Sequence, residues 1–206
     1  LALEFAIEPA AISSEWAREI GATTRLARAE TDFSGSPPSR IHNIKVAAAK
    51  FNGLVIQPGA SFSFNDTIGP IDASTGYEFA LVIKNGKTIF EYGGGVCQVS
   101  TTLFQAAAKA GLEIVKRFPH AYPVRYYGAV PGFDATIYPG GPDLAFRNDT
   151  EKPILIQMQV VKTKLIVNLF GAPDGREVLI AGPYEFDRNP DGAVKARLTQ
   201  TVRRGS

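Results

Sequence analysis

The chain has 206 residues, of which 45% are hydrophobic, and its formal net charge at pH 7 is +2. This apolar share is enough for a packed core, and the length fits one large domain or a domain with a small appendage. A charge so close to zero, with acidic and basic residues interspersed, argues against nucleic acid as a partner, because such a surface needs a concentrated basic face. No stretch reaches the roughly 20 apolar residues of a membrane span, and the sequence starts without a methionine or a signal-peptide pattern. We therefore expect a mature or excised fragment whose anchor or targeting segment lies outside it.

Residues 1–40 are predicted to form an N-terminal helical extension. Apolar residues show helical spacing in two pieces between residues 3 and 30, and the second piece runs from about Ser14 to Ala29. The glycine and prolines of Asp32–Ser39 break this pattern and indicate a loop. A further amphipathic helix is expected over Ile41–Leu54.

Hairpins dominate the remainder of the pattern. Asn85-Gly86 is typical of a two-residue turn between strands at Tyr77–Lys84 and Lys87–Tyr92. Other strands are predicted at Ser61–Phe64, Leu112–Val115, Ala135–Tyr138, Ile154–Val161 and Leu165–Phe170. The expected fold class is α+β, with N-terminal helices followed by a mainly antiparallel sheet of hairpins. The α+β domain is predicted to cover residues 41–182, and residues 183–206 to be a linker or the start of a following module.

The only cysteine, Cys97, directly follows the glycine run Gly93–Gly95 and Val96. Helical spacing of apolar residues begins behind it and predicts a central helix that Gly111 ends. A helix N-terminus offers unpaired N–H groups and partial positive charge, which favour a thiolate. Cys97 is therefore a candidate nucleophile; the alternative is a small buried hydrophobic residue, and one cysteine excludes an internal disulfide.

A cysteine nucleophile needs a base and a group that orients the base. His120 is the candidate base, Asp134 the candidate orienting acid and Asp143 the alternative acid. The order Cys, His, Asp, with the cysteine at a helix start, is the layout of transglutaminase-like and papain-like thiol enzymes. A turn role for His120 and a capping role for Asp134 remain open.

The residues around Cys97 are the candidates for holding a substrate or an oxyanion. They are Gly94, Gly95, Gln98, Ser100 and Thr101. The alternative is that the hydroxyls cap the helix and Gln98 packs in the interior. The glycines do not fit GxGxxG or a P-loop, so no nucleotide is expected. Cys97, His42 and His120 lack the spacing of metal ligands, so no metal or other cofactor is expected.

A series of short motifs runs in order through residues 41–170: Asn52-Gly53, Pro58-Gly59, Phe62-Ser63-Phe64-Asn65, Gly76-Tyr77, Gly93 through Phe104, Gly111-Leu112-Glu113-Ile114-Val115, His120, Tyr122-Pro123, Gly132, Asp134-Ala135-Thr136, Asp143-Leu144, Asn148 and Pro153-Ile154. This series resembles the VanW-like family of bacterial cell-envelope proteins, which takes its name from an accessory protein of some vancomycin-resistance clusters. The loop before Asp134 departs slightly, since the family more often has Pro-Pro-Gly-Leu there. The resemblance implies an extracytoplasmic, membrane- or wall-associated setting.

Two functions fit these residues. The first is a thiol-dependent acyl transferase or amidohydrolase, in which Cys97 attacks an amide or ester of a peptidoglycan stem peptide or a wall-linked protein. The second is a non-catalytic module that binds peptidoglycan or a wall peptide through the same glycine loop and helix start. Peptidoglycan, a wall peptide and other cell-wall enzymes are the partners that this setting suggests.

Overall fold

The computed structural model describes residues 13–84, 87–128, 132–188 and 194–204. The helices are α1 (Ser14–Glu19), α2 (Pro38–Phe51), α3 (Phe64–Ile68) and α4 (Val96–Lys109). The strands are β1 (Thr24–Asp32), β2 (Val55–Ile56), β3 (Ser61–Ser63), β4 (Phe79–Lys84), β5 (Lys87–Tyr92), β6 (Glu113–Lys116), β7 (Ala145–Arg147), β8 (Ile154–Val161), β9 (Lys164–Gly171), β10 (Glu177–Arg188) and β11 (Val194–Arg203). The predicted α+β class is confirmed.

The largest sheet has the strand order β1-β9-β8-β2, and each neighbouring pair is antiparallel. Helix α4 packs on β1 and β9, while α2 packs on β8 and against α4. A smaller sheet of β3, β7 and β6 and two separate hairpins, β4–β5 and β10–β11, complete the described strands. The core lies between the largest sheet and the two long helices, and it surrounds α4.

Helix α4 is buried over most of its length because apolar or small residues occupy almost every face. Val99, Leu103, Ala106 and Ala107 have no exposed surface. Such a helix belongs in the interior rather than on the surface. The prediction of a central helix that begins at the Gly-Gly-Gly-Val-Cys loop is confirmed. Because α4 is buried, the packing around it also fixes its first turn.

The glycines before α4 allow two elements to approach the loop closely. A Cβ at Gly94 would lie 2.5 Å from the carbonyl oxygen of Leu81 in β4. A Cβ at Gly95, whose φ is 113°, would lie 2.9 Å from the carbonyl oxygen of Arg40 in α2. Both positions therefore exclude a side chain. The glycine run places the start of α4 tightly between β4 and α2.

The predicted helix from Ser14 to Ala29 is wrong beyond Glu19. Residues Thr24–Asp32 form β1, whose residues alternate between buried and exposed at its second half. Ala27 and Ala29 face the core, and β1 pairs with β9. Alanine and arginine favour helices, but the edge of the sheet supplies hydrogen bonds that override this preference. The predicted helical piece before residue 13 lies outside the described residues.

One further expectation is corrected. The segment Ala135–Tyr138 is not a strand, because its amides bond irregularly: Thr136 N–H donates to the carbonyl of Phe118, and Tyr138 N–H to that of Pro142.

The end of the chain, expected to be a linker or the start of a following module over residues 183–206, contributes to a long antiparallel hairpin of β10 and β11. Gln200 of β11 donates to the carbonyls of Ala108 and Leu112, which ties this hairpin to the end of α4. The domain boundaries themselves stay a prediction.

The two predicted hairpins, β4–β5 and β8–β9, are confirmed. Their registers pair Lys84 with Lys87 and Val161 with Lys164. The turn residues Asn85-Gly86 lie outside the described residues. None of the helices in the described ranges is both long and apolar enough to cross a membrane.

The glycine loop yields a stability prediction. Gly94→Ala is expected to lower the free energy of unfolding by about 2–3 kcal/mol, because the new methyl group meets backbone atoms that cannot move aside. Gly141→Ala is the matched control, since its Cβ would have only ordinary contacts, the nearest at 3.7 Å. Urea denaturation of both variants measures the difference. Equal stabilities would contradict the close approach of β4 to the loop.

Candidate functional site

The structure brings Cys97, His120 and Asp134 together. Cys97 is the second residue of α4 and is partly exposed. The imidazole of His120, which lies in the loop after β6, is close enough to this thiol to lower its pKa. The Nδ1 atom of the same imidazole lies 2.5 Å from Oδ2 of Asp134. The order is thiol, imidazole, carboxylate, and each group influences the pKa of the next.

Asp134 is held by more than the imidazole. Its Oδ2 also accepts from the backbone N–H of His120 at 2.8 Å. Its Oδ1 accepts from the guanidinium of Arg117 at 3.1 Å, and Arg117 Nε donates to the Asp134 carbonyl at 2.6 Å. Only 8% of Asp134 is exposed. A carboxylate fixed at both oxygens holds the imidazole in one orientation and leaves Nε2 for the thiol.

Burial and hydrogen bonding act in opposite directions on His120. Burial lowers the pKa of the imidazole, but its hydrogen bonds to Asp134 and Cys97 and their negative charges raise the pKa to about 9. The protonated ring is thus the favoured form at neutral pH.

The thiol responds in the complementary way. Burial raises the pKa of Cys97, but the hydrogen bond and charge of His120, with a backbone hydrogen bond at Ile137 and the Thr136 hydroxyl at 3.7 Å, hold it below its ordinary value. The thiol and the imidazole therefore titrate as one pair. The lowered pKa of the thiol raises the thiolate fraction above that of an ordinary cysteine at the same pH.

The thiol opens onto a cleft of about 400 Å³. The β4–β5 hairpin, the start of α4 and the segment after β6 form its walls, and both Cys97 and His120 line it. Most of the wall is apolar, including Ile71, Leu81, Val124 and Ile137. A mostly apolar cleft with a few polar groups at one end is typical of a small-molecule or peptide site.

Three of the predicted substrate-contacting side chains are instead buried in the interior. Gln98 donates to the hydroxyl of Thr31 at 3.0 Å. Ser100 and Thr101 donate to the carbonyl of Ala135 at 2.7 and 3.2 Å. They point away from the cleft because α4 turns them toward the core, and the expectation that they hold a substrate or oxyanion is corrected. Their bonds to Ala135 fix the segment that carries Asp134.

The other predicted positions divide in the same way. Gly95 lines the cleft, whereas Gly94 is buried and accepts a hydrogen bond from Asn43 at its carbonyl. Asp143 is not near His120: it accepts from the Ser63 hydroxyl at 2.8 Å and from the Asn65 amide at 3.0 Å. The alternative assignment of Asp143 as the orienting acid is therefore corrected, because its carboxylate stabilises the start of α3.

Arg117 and Tyr127 are site residues that the sequence pattern did not reveal. The ring of Tyr127 lies 5.2 Å from that of His120 and forms part of the wall of the cleft. Burial and the charge of Cys97 raise the pKa of the Tyr127 phenol, so its hydroxyl stays protonated. Both residues lie in or beside irregular segments, where no periodicity marks a functional face.

His42 is placed elsewhere, with its Nε2 at 2.8 Å from the carbonyl of Gly76. Within the part of the chain that the structure describes, no three His, Cys, Asp or Glu side chains lie close enough to hold a metal ion.

Comparison with known proteins places these residues in a family. The family model described as VanW like protein matches residues 39–170. YoaR, an uncharacterized protein of Bacillus subtilis (strain 168), is 40% identical over 150 residues, which are 73% of this chain and 49% of YoaR. The vancomycin B-type resistance protein VanW of Enterococcus faecalis (strain ATCC 700802 / V583) is 33% identical over 159 residues, 75% of this chain and 58% of that protein.

The chain thus spans about half the length of these relatives. No solved structure matches it, so the likeness to transglutaminase-like and papain-like enzymes has no support from an overall fold match. The family match covers the glycine loop, Cys97, His120 and Asp134. This chain belongs to the VanW-like family.

Proposed function

We propose that this chain is a thiol-dependent acyl transferase or amidohydrolase of the bacterial cell envelope. The observation that carries the proposal is the series Cys97, His120 and Asp134 at the wall of an open cleft, in which Asp134 binds the imidazole and the imidazole lowers the pKa of the thiol. A nucleophile, a base and a group that orients the base are the parts that acyl transfer through a cysteine requires.

In the first step, the Cys97 thiolate attacks the carbonyl carbon of an amide. A C–S bond forms, and the carbonyl electron pair moves to the oxygen. Collapse of this intermediate breaks the C–N bond, and the His120 imidazolium gives its proton to the departing amine. A thioester on Cys97 and a neutral imidazole remain.

In the second step, the neutral His120 removes a proton from an incoming water or amine, which attacks the thioester. The C–S bond breaks and the thiolate is restored beside the imidazolium. Water yields a carboxylic acid and an amine yields a new amide, so one site supports both hydrolysis and transfer. Asp134 stays ionised and stabilises the imidazolium at the start and end of the cycle.

The start of α4 supplies the charge stabilisation that the intermediate needs. The backbone N–H of Val96 donates to the carbonyl of Gly93, and the backbone N–H of Gln98 donates to the carbonyl of Gly95. Within the described residues, no backbone carbonyl accepts a hydrogen bond from the N–H of Cys97 between them. A free amide at a helix N-terminus, beside the attacking sulfur, is suited to an oxyanion. The backbone thus replaces the side chains of Gln98, Ser100 and Thr101 in this role.

The substrates that we propose are peptidoglycan stem peptides or wall-linked proteins. Membership of the VanW-like family supports a cell-envelope setting, and one relative is by name a vancomycin resistance protein. In that setting the chain works extracytoplasmically, at the membrane or wall, with other cell-wall enzymes as partners. A non-catalytic module that binds wall peptides in the same cleft is the competing function, favoured by the apolar walls.

Turnover distinguishes the two functions. Purified peptidoglycan fragments, incubated with the protein and an acceptor amine, are expected to show released or exchanged residues by mass spectrometry. Cys97→Ala and His120→Gln should each reduce turnover at least ~1,000-fold while fragment binding persists, because the cleft walls remain. Binding without turnover by the unaltered protein, or undiminished turnover by Cys97→Ala, would contradict the enzyme.

Alkylation by iodoacetamide tests the charge state of the thiol. Because the pKa of Cys97 is lowered, this thiol should be alkylated faster at neutral pH than an ordinary thiol, whose pKa is about 8.5. A second change is expected near pH 9, where the imidazolium of His120 loses its proton.

Asp134→Asn should raise the pKa of Cys97, because a less stable imidazolium stabilises the thiolate less. Once that pKa lies above 7, each further rise by one should slow alkylation at pH 7 by about tenfold. Asp143→Asn is the matched control, since that carboxylate contacts Ser63 and Asn65 instead. The same pH profile for Asp134→Asn and the unaltered protein would exclude the proposed coupling.

A further inference from the structure

Arg40 brings a buried positive charge into the cleft. It lies in the first turn of α2, is only 8% exposed and lines the same cleft as Cys97. Its Nη1 donates to the Ser36 hydroxyl at 2.9 Å, and its guanidinium carbon lies 4.0 Å from the centre of the Tyr126 ring. Tyr127, whose phenol stays protonated, lines the same cleft. All of these partners are uncharged groups.

The absence of an acidic partner sets Arg40 apart. Arg117 pairs with Asp134 at 3.1 Å, and Arg176 pairs with Asp149 at 2.9 Å. Across the described residues no carboxylate forms a salt bridge with Arg40. A buried charge without an opposite charge is costly and is rarely kept in a structure without a role. Among the described residues that line the cleft, the acidic one is Glu91, which accepts a hydrogen bond from Tyr138.

Arg40 is also close to the reacting end of the cleft. The Cγ atom of Arg40 lies next to Gly95, which is two residues before Cys97: a Cβ added to Gly95 would be only 3.0 Å from it. Because Gly95 also lines the cleft, Arg40 and Cys97 belong to neighbouring parts of the same wall. A guanidinium has five N–H donors in a planar fork that matches a carboxylate. Ser36 occupies one of these donors.

We propose that Arg40 binds a carboxylate of the acyl donor close to the bond that Cys97 attacks. This inference rests on the proposed function and narrows its substrate class. The donor is a peptide that ends one or two residues beyond the attacked carbonyl, so its free α-carboxylate reaches Arg40. The enzyme then removes or exchanges terminal residues and does not cut within long chains.

Two reagents of the same shape and different charge test this inference without requiring turnover. N-bromoacetyl-alanine carries a free carboxylate, and N-bromoacetyl-alaninamide is its neutral counterpart. Both alkylate a thiol, with loss of bromide. The quantity measured is the rate with the carboxylate reagent divided by the rate with the amide reagent. This ratio is expected to be about tenfold higher for the unaltered protein than for a free thiol, because a charge-assisted hydrogen bond holds the carboxylate reagent beside Cys97.

The variants locate the source of the preference. Arg40→Gln should bring the ratio of the two rates to that of a free thiol, whereas Arg40→Lys should keep part of the preference. Arg125→Gln is the matched control: Arg125 also lies near the Tyr126 ring, at 4.8 Å, but it is exposed and does not line the cleft. It should retain the ratio of the unaltered protein.

A second measurement needs no variant and so does not depend on folding. N-acetyl-alanine should protect Cys97 of the unaltered protein from iodoacetamide, and N-acetyl-alaninamide should not. Equal protection by both compounds, or equal ratios in the unaltered protein and Arg40→Gln, would overturn the assignment of Arg40. Failure of the proposed function has a different signature: the carboxylate preference persists while peptidoglycan fragments are not turned over.

Discussion

The candidate site depends on how one irregular segment is attached to the first turns of α4. Ser100 and Thr101 donate to the carbonyl of Ala135, and the Ala135 amide donates back to Thr101 at 3.1 Å. These buried bonds replace the strand pairing that this segment lacks. Asp134 is fixed next to them, and it in turn fixes His120 beside Cys97. The hydroxyls are thus positioning residues, and the catalytic geometry that we propose is set by the helix core.

Burial has two opposing effects in this arrangement, and the hydrogen bonds decide which prevails. A thiol and an imidazole removed from water would each stay neutral. Next to each other, and with Asp134 behind the ring, the thiol has a lowered pKa and the imidazole has a pKa raised to about 9. Arg117 balances the charge of Asp134. Arg40 forms no salt bridge with a carboxylate among the described residues, and this is why we assign a ligand carboxylate as its partner.

The cleft owes its shape to the glycine loop. Because Gly94 and Gly95 have no side chains, β4 and α2 close in on the start of α4 from two sides. The β4–β5 hairpin then stands over the thiol and forms one wall, while α2 brings Arg40 to another. A binding role and a catalytic role use the same surface here. The position of the site is therefore independent of the reaction, and only turnover decides between the two functions.

The sequence by itself determined the α+β class, the central helix behind the glycine loop, two hairpins and the candidates Cys97, His120 and Asp134, because periodicity, turn residues and rare reactive side chains are local properties. Only the tertiary structure decided what depends on partners distant in sequence. It made residues 24–32 a strand, since β9 offers an edge to pair with. It turned Gln98, Ser100 and Thr101 inward and gave Asp143 to α3. It also brought Arg40 and Tyr127 to the cleft and Arg117 to Asp134, because no local pattern records which loops and helices will meet around a site.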